Sequence, residues 1–175
     1  MRNGAKLRHS RTRSQSGQST IEFVLVGIPM IFVMISTFEM ARGMWIYQTL
    51  AHAVKDGARY ASVHGKSCRT NPNVCGVTVG DVASRIQSAG TGLIGDDMGV
   101  TLTDTGGSIP CSTLTACLSN GTTWPTDAGG VQGSDLTVTA SYHFHSALAM
   151  FWPGAGHVDF ATVNLPASAR ETVQF

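Results

Sequence analysis

Four residues near the carboxyl end of the chain have side chains that could bind a metal. His143 and His145 alternate along a segment typical of a β-strand, so both imidazoles point to one face, and His157 and Asp159 follow after a predicted turn. Two or three of these groups could ligate zinc. The same pattern is typical of the polar outer face of a strand at a hairpin end, and we favour that interpretation.

Recognisable catalytic patterns do not accompany these histidines. The sequence has no nucleophile elbow, phosphate-binding loop or zinc-protease motif, and its many serines and threonines form no triad pattern. We therefore predict that the chain is not an enzyme and holds no metal or cofactor. A secreted hydrolase is kept as a minor alternative.

The four cysteines form two close pairs in stretches that contain glycine and proline. Cys68 and Cys75 have six residues between them, and Cys111 and Cys117 have five. Three connectivities are possible, of which local pairing is the simplest. A metal site is the alternative, but the sequence contains no C-x-x-C motif. We predict two disulfides, which an oxidising compartment outside the cytoplasm permits.

Residues 23–38 form an uncharged, apolar run of sixteen residues between Glu22 and Glu39. As a helix this run is about 24 Å long, and Ile21, Thr20 and Met40 can extend it towards the roughly 30 Å of a bilayer core. Gly27 and Pro29 are tolerated more readily in membrane helices than in soluble ones. We predict a transmembrane helix, with a buried core helix as the alternative.

The charges of the chain are distributed unevenly around this run. Residues 1–17 carry five bases and no acid, whereas residues 18–175 carry seven bases and eleven acids. Bases upstream of a membrane segment favour a cytoplasmic amino terminus, so the remainder is predicted to be exported. A basic arm can also bind nucleic acid, but no second basic patch or interleaved aromatic residues support that function.

A cleaved secretory signal is a further alternative for the apolar run. Such a signal needs small residues directly after the run. The A-x-A motif that follows, Ala51-His52-Ala53, lies thirteen residues further on and inside a strong helical pattern. We therefore predict that the apolar run is retained.

Residues 41–63 contain no proline and follow an amphipathic helical period. The apolar half of the helical wheel is rich in alanine and glycine: Ile46, Tyr47, Leu50, Ala51, Ala53, Val54, Gly57, Ala58 and Ala61. The polar half holds Gln48, Thr49, His52, Lys55, Asp56, Arg59 and Ser62, with Met44 and Trp45 as exceptions. Residues 19–63 are predicted to form one helix of roughly 68 Å. Trp45 and Tyr47 lie where interfacial aromatic residues are expected.

The rest of the chain predicts an α+β fold, with this helix packed on a small antiparallel sheet. A short helix is expected in residues 77–89, capped near Thr78 or Asp81 and ended by Gly90. Strands are expected at 99–104 and 135–145, and one or two more at 158–173, where Pro166 favours an edge or a bulge. A hairpin through residues 151–156 would make the last strands antiparallel. Residues 109–133 are predicted to be a long loop.

The start of the membrane segment resembles the processing site of type IV prepilins. A basic leader ends in Gly17, Glu22 follows five positions later, and the apolar run begins at Phe23. The resemblance implies that prepilin peptidase cuts between Gly17 and Gln18 and that the apolar helix stays in the mature protein. Glu22 would then be the fifth mature residue.

Two longer stretches are similar to the TadE-like family of minor pilins and pseudopilins, which serve the tight-adherence (Tad/Flp, type IVb) pilus. They are GQSTIEFVLVGIPMIF and YQTLAHAVKDGARYASVHG, within residues 17–65. Glu22-Phe23 stands where major pilins usually have Glu-Tyr. The resemblance implies a subunit for pilus assembly, initiation or tip display, and it leaves the TadE and TadF roles open.

The same resemblance implies the partners and the location of the protein. The partners are prepilin peptidase, the inner-membrane assembly platform, the major pilin, another minor pilin and membrane lipid. The protein would lie in the inner membrane with a periplasmic domain and could then enter the extracellular pilus. A signal-anchored periplasmic binding or metal protein that does not polymerise is the main alternative.

The predicted organisation therefore has four parts. They are the leader 1–17, the transmembrane half of the helix 18–40, its amphipathic half 41–64 and the exported domain 65–175. A carboxylate at Glu22 near the hydrocarbon costs a few kcal/mol unless it is paired. The new α-amino group of Gln18, one helical turn earlier, is a natural partner, so we assign Glu22 and Phe23 to assembly. The alternative is that Glu22 merely lies among lipid headgroups.

Overall fold

The structure, a computed structural model, describes residues 16–69, 75–147 and 162–174. The fold class is α+β, as the sequence predicts: a long amino-terminal helix and a four-stranded antiparallel sheet. The helices are α1 (Ser16–Ser62), α2 (Lys66–Arg69), α3 (Val79–Ala89) and α4 (Leu114–Leu118), with a 3₁₀ turn at Gly95–Asp97. The strands are β1 (Met98–Asp104), β2 (Gly107–Cys111), β3 (Asp135–His145) and β4 (Thr162–Thr172).

Helix α1 confirms the predicted continuous helix, and it contributes to two compact units that divide between Phe38 and Glu39. The part before the division is apolar and exposed, with Pro29 inside the helix. Within the described residues, α1 is long and apolar enough to cross a membrane.

The part of α1 after Glu39 contributes one face to the core of the second unit. Leu50, Ala53, Val54, Ala58 and Ala61 are buried together with the inner side of the sheet. This agrees with the predicted apolar face at those positions, and the small side chains allow neighbouring elements to approach closely.

The wheel assignment was wrong at three other positions of α1. Tyr47 and Ala51 were placed on the packed face but are exposed, whereas Ser62 was placed on the polar face but is buried. Ser62 is covered because the carboxyl-terminal segment returns to it, with the Gln174 amide donating a hydrogen bond to the Ser62 carbonyl.

The sheet has the strand order β2-β1-β3-β4, with every neighbouring pair antiparallel. Strand β3 occupies the predicted residues and alternates as predicted, with its apolar side chains buried: Leu136, Val138, Ala140, Tyr142 and Phe144. Strand β4 is a single edge strand in which Pro166 lies opposite Ser141, which confirms the predicted edge position. The turn predicted at 151–156 lies outside the described residues.

The predicted long loop at 109–133 was wrong in its first part, which contains the end of β2 and all of α4. Strand β2 exists because it pairs with β1 through a tight turn in which Gly107 has φ +146°. Helix α4 begins at a cap in which the Thr113 hydroxyl accepts a hydrogen bond from the Ala116 amide. Both elements are too short to show a clear period in the sequence.

Helix α3 confirms the predicted short helix and its ends. The Thr78 hydroxyl accepts from the Asp81 amide while the Asp81 carboxylate accepts from the Thr78 amide, which makes a capping box. The hydrogen bond from the Thr78 hydroxyl, followed by that from its amide, lowers the pKa of Asp81. Gly90 ends the helix.

Two polar contacts hold the irregular segment after α4. The buried Asp104 carboxylate accepts hydrogen bonds from the amides of Gly106 and Thr126, each at 2.7 Å. On the other side, the Arg69 guanidinium donates to the Pro125 carbonyl at 2.6 Å. The segment is therefore held by groups that lie more than twenty residues away in sequence.

Candidate functional site

The first turn of α1 holds the predicted cleavage residues, Gly17 and Gln18. A Cβ atom added at Gly17 would meet no atom within 4 Å, and its backbone lies outside the positive-φ region. The fold therefore does not require glycine at this position. The predicted leader, residues 1–17, lies almost entirely outside the described residues.

The structure places Gln18 and Glu22 on the same side of α1. The Gln18 amide Nε2 donates to the Glu22 carboxylate at 3.5 Å, across one turn of helix, and both residues are exposed. Phe23, the next residue of the predicted assembly pair, is 77% exposed. The carboxylate is thus accessible and lies one turn after the predicted new amino terminus.

The large apolar side chains of α1 between Ile21 and Met34 are exposed to solvent. Those more than two-thirds exposed are Ile21, Phe23, Leu25, Met30, Val33 and Met34. Burying one such side chain away from water is worth about 1.5–3 kcal/mol. This part of the helix is therefore compatible with a lipid environment.

Glu39 and Arg42 follow directly after the apolar run, and both charged side chains make polar contacts within the second unit. Glu39 is 8% exposed, and its carboxylate accepts hydrogen bonds from the Ser146 hydroxyl and the Ala147 amide at 3.2 Å each. The Arg42 guanidinium lies 3.9 Å from Glu39 and donates to the His145 carbonyl. We call this set the Glu39–Arg42 junction.

Aromatic packing completes the Glu39–Arg42 junction. The Arg42 guanidinium lies 4.6 Å from the centre of the Phe144 ring, within the range of a cation–π contact. The sequence analysis missed this arrangement. A lone Glu–Arg pair three residues apart, directly after an apolar run, was the available clue, because such charges need partners when buried.

Both cysteine pairs are disulfide-bonded locally in the structure. Cys68 is bonded to Cys75 with their Cα atoms 5.7 Å apart, and Cys111 is bonded to Cys117 with theirs 5.6 Å apart. The first bond joins α2 to Cys75, and the second joins β2 to α4. These are the disulfide-stapled loops of the predicted fold.

His143 and His145 lie on the exposed side of β3, next to the 3₁₀ turn. The His143 ring contacts the Asp97 carbonyl at 3.2 Å, and His145 Nε2 lies 3.8 Å from the Asp97 carboxylate. Among the residues that the structure describes, no three metal-ligating side chains come together. His157 and Asp159, which the metal alternative needs, lie outside those residues.

An open depression of about 640 Å³ lies at the sheet, and half of its lining residues carry hydroxyl groups. Thr101, Thr139, Ser141 and Ser168 contribute hydroxyls, and Tyr47 borders it from α1. Its lining, as far as the structure describes it, contains no carboxylate, imidazole or amine. The depression therefore offers hydrogen bonding rather than acid–base chemistry.

Fold and site together define an α+β protein with an exposed apolar amino-terminal helix of membrane-spanning length. Residues 17–59 match the family model of TadE-like proteins, which confirms the predicted resemblance over those residues. The match lies entirely within α1 and leaves the sheet outside it. No curated protein and no solved structure matches the chain.

Proposed function

We propose that the protein is a minor pilin or pseudopilin of a Tad-type, type IVb pilus. The observation that carries the proposal is the coincidence of the TadE-like match with a helix whose first half is apolar and unpacked. In this function the leader is cytoplasmic, the apolar half of α1 crosses the inner membrane and the sheet lies in the periplasm. The four-part organisation 1–17, 18–40, 41–64 and 65–175 follows from the same topology.

Processing by prepilin peptidase between Gly17 and Gln18 is part of this proposal. One observation supports it. Glycine is not needed at position 17 by the fold, since an added Cβ meets nothing there. Its presence is then best explained by an enzyme that must approach the backbone closely.

Glu22 is assigned to assembly on electrostatic grounds. Its carboxylate is exposed beside the apolar run, where an unpaired charge costs a few kcal/mol in lipid. Cleavage would create a positively charged α-amino group on Gln18, one turn away and on the side of the helix that Glu22 already shares. That amine, of the same or a neighbouring subunit, would neutralise the carboxylate while Phe23 packs beside it.

The processing step is tested by mass spectrometry of the mature amino terminus. We expect the wild-type protein to begin at Gln18, and Gly17→Leu to keep its leader. Gly121→Leu is the matched control, because an added Cβ there also meets nothing within 4 Å; it should be processed normally. A mature protein that begins at Met1 would instead support a plain membrane anchor, and one beginning near Val54 a secreted protein.

The assembly step is tested separately with Glu22→Ala. We expect this variant to be cleaved but to give markedly fewer pili, because the amino terminus of the helix loses its charge partner. Glu22→Asp keeps the charge and should restore much of the piliation. Wild-type numbers of pili with Glu22→Ala would exclude the assigned role.

The remaining parts of the proposal concern partners and position. The major pilin, a second minor pilin and the assembly platform would meet the exposed apolar half of α1, and the exported sheet would be displayed. Initiation and tip display both require only a few copies per fibre, which suits a subunit with a domain this large.

A further inference from the structure

Beyond Glu39, one side of α1 stays uncharged for two further turns. At 3.6 residues per turn, Met40, Ala41, Met44, Trp45 and Tyr47 fall within one half of the helix circumference. All five are exposed, Met40, Met44 and Trp45 by 64% or more. We call these five residues the outer arc.

The charges that end the apolar run in the sequence lie on the other half of the circumference. Glu39 is covered and accepts hydrogen bonds from Ser146 and Ala147, and Arg42 is held against the ring of Phe144. Because the end of β3 supplies these partners, neither charge interrupts the outer arc.

We propose that the outer arc lies in the lipid bilayer, so that on this side the lipid-facing surface of α1 ends at the aromatic residues Trp45 and Tyr47. Residues 23–38 alone reach about 24 Å, less than the roughly 30 Å bilayer core. Extending the surface to residue 45 gives about 35 Å, which covers the core. This deepens the proposed function, rests on its membrane anchoring and names lipid as the partner of this surface.

The residue types of the outer arc favour lipid over water. Two methionines and an alanine lie nearest the apolar run, and the aromatic residues Trp45 and Tyr47 come last, where amphipathic rings meet the headgroups. The first ionisable side chain that follows on this side of α1 is His52, almost two turns beyond Trp45.

The arrangement also determines how close the sheet comes to the membrane. Phe144 approaches α1 at Gly43, where an added Cβ would lie 3.9 Å from its ring. Gly43 is level with the outer arc along the helix. The carboxyl end of β3 would therefore lie at the depth of the lipid headgroups, on the opposite side of α1 from the outer arc.

The test uses a nitroxide label on single introduced cysteines in the full-length protein. It is feasible because the four native cysteines are all in disulfides. Labels at Met44→Cys and Trp45→Cys are compared in vesicles of phosphatidylethanolamine and phosphatidylglycerol. His52→Cys is the matched control, since it lies on the same side as Trp45 and about 10 Å further along the axis. Val33→Cys reports insertion of the apolar run itself.

The measurement is the rate of collision with oxygen, which partitions into lipid, relative to a water-soluble nickel chelate. We expect this ratio to be several-fold higher at 44 and 45 than at 52, and highest at 33, which lies deeper in the bilayer. A ratio at 44 and 45 equal to that at 52 would overturn the proposal.

Two further outcomes would also overturn it, and they point to different causes. Protection from both reagents at 44 and 45, relieved when the protein is diluted in lipid, would mean that a second copy covers the outer arc. A label at 33 that meets the nickel chelate would mean that the helix is not inserted at all. In that case the membrane part of the proposed function fails as well.

Discussion

The two halves of α1 use apolar residues in opposite ways. Before Glu39 the large side chains are exposed, and none of the most apolar window of the helix is buried within the protein. After it, the fully buried residues include Ala53, Ala58 and Ala61, which are small. Hydrophobicity along one helix therefore does not predict burial inside the protein. It predicts exclusion from water, which the sheet provides for the second half, whereas the exposed first half is compatible with membrane anchoring.

The largest effect that distinguishes the halves should come from removing a large side chain. Leu50 is fully buried, so Leu50→Ala is expected to lower the free energy of unfolding by about 2–5 kcal/mol. Val33 is 67% exposed, and Val33→Ala should change the free energy of unfolding by less than about 0.5 kcal/mol. Urea unfolding in detergent, followed by near-ultraviolet circular dichroism, measures both. Equal losses would show that the halves are packed alike.

A smaller effect should come from adding a methyl group at a glycine in each half. A Cβ at Gly57 would lie 2.4 Å from Ile86 Cγ1, whereas one at Gly27 would meet only Phe23, at 3.9 Å. We expect Gly57→Ala to cost about 1–3 kcal/mol through overpacking of α1 against α3. Gly27→Ala is the control and should not destabilise the second unit in the same unfolding experiment. A neutral Gly57→Ala would mean that α3 can shift away from α1.

The smallest expected change in the free energy of unfolding comes from the amino-terminal cap of a helix. Helix α1 has no acid in its first turn, whereas α3 begins with the Thr78–Asp81 capping box. Thr78→Val should lower the free energy of unfolding by about 1 kcal/mol. Ser84→Ala, also in α3, is the control and should stay within about 0.5 kcal/mol of the wild type.

The capping box also predicts a pH dependence. Because hydrogen bonds from Thr78 lower the pKa of Asp81 in the folded protein, the ionised form favours folding. Its contribution is complete above the unfolded value, about 3.9, and is lost as the pH falls through the lower folded pKa. Thr78→Val should therefore flatten the fall in stability below about pH 4, and an unchanged profile would contradict this role for the cap.

Elements with a long period were predictable from local sequence. The continuous helix over residues 19–63, the alternation of β3 and the Thr78 cap with its Gly90 end all depend on patterns that neighbouring residues set. The TadE-like resemblance was recognisable for the same reason, since the glycine, the acid and the apolar run lie within a few residues of each other.

Short elements and contacts with distant residues were not predictable. Strand β2, which contains Pro110, forms by pairing with β1 at the edge of the sheet. The five-residue helix α4 is held by its amino-terminal cap and the Cys111–Cys117 disulfide. Ser62 is buried only because the chain returns at Gln174. No local pattern contains that information.

The sequence by itself determined where an apolar helix runs and which face of its second half avoids water, because periodicity and hydration are local properties. Only the tertiary structure decided that Glu39 is buried and satisfied by Ser146 and Ala147, more than one hundred residues away. A buried charge is stable only when partners arrive in the right geometry, and that geometry exists only after the sheet has formed beside α1.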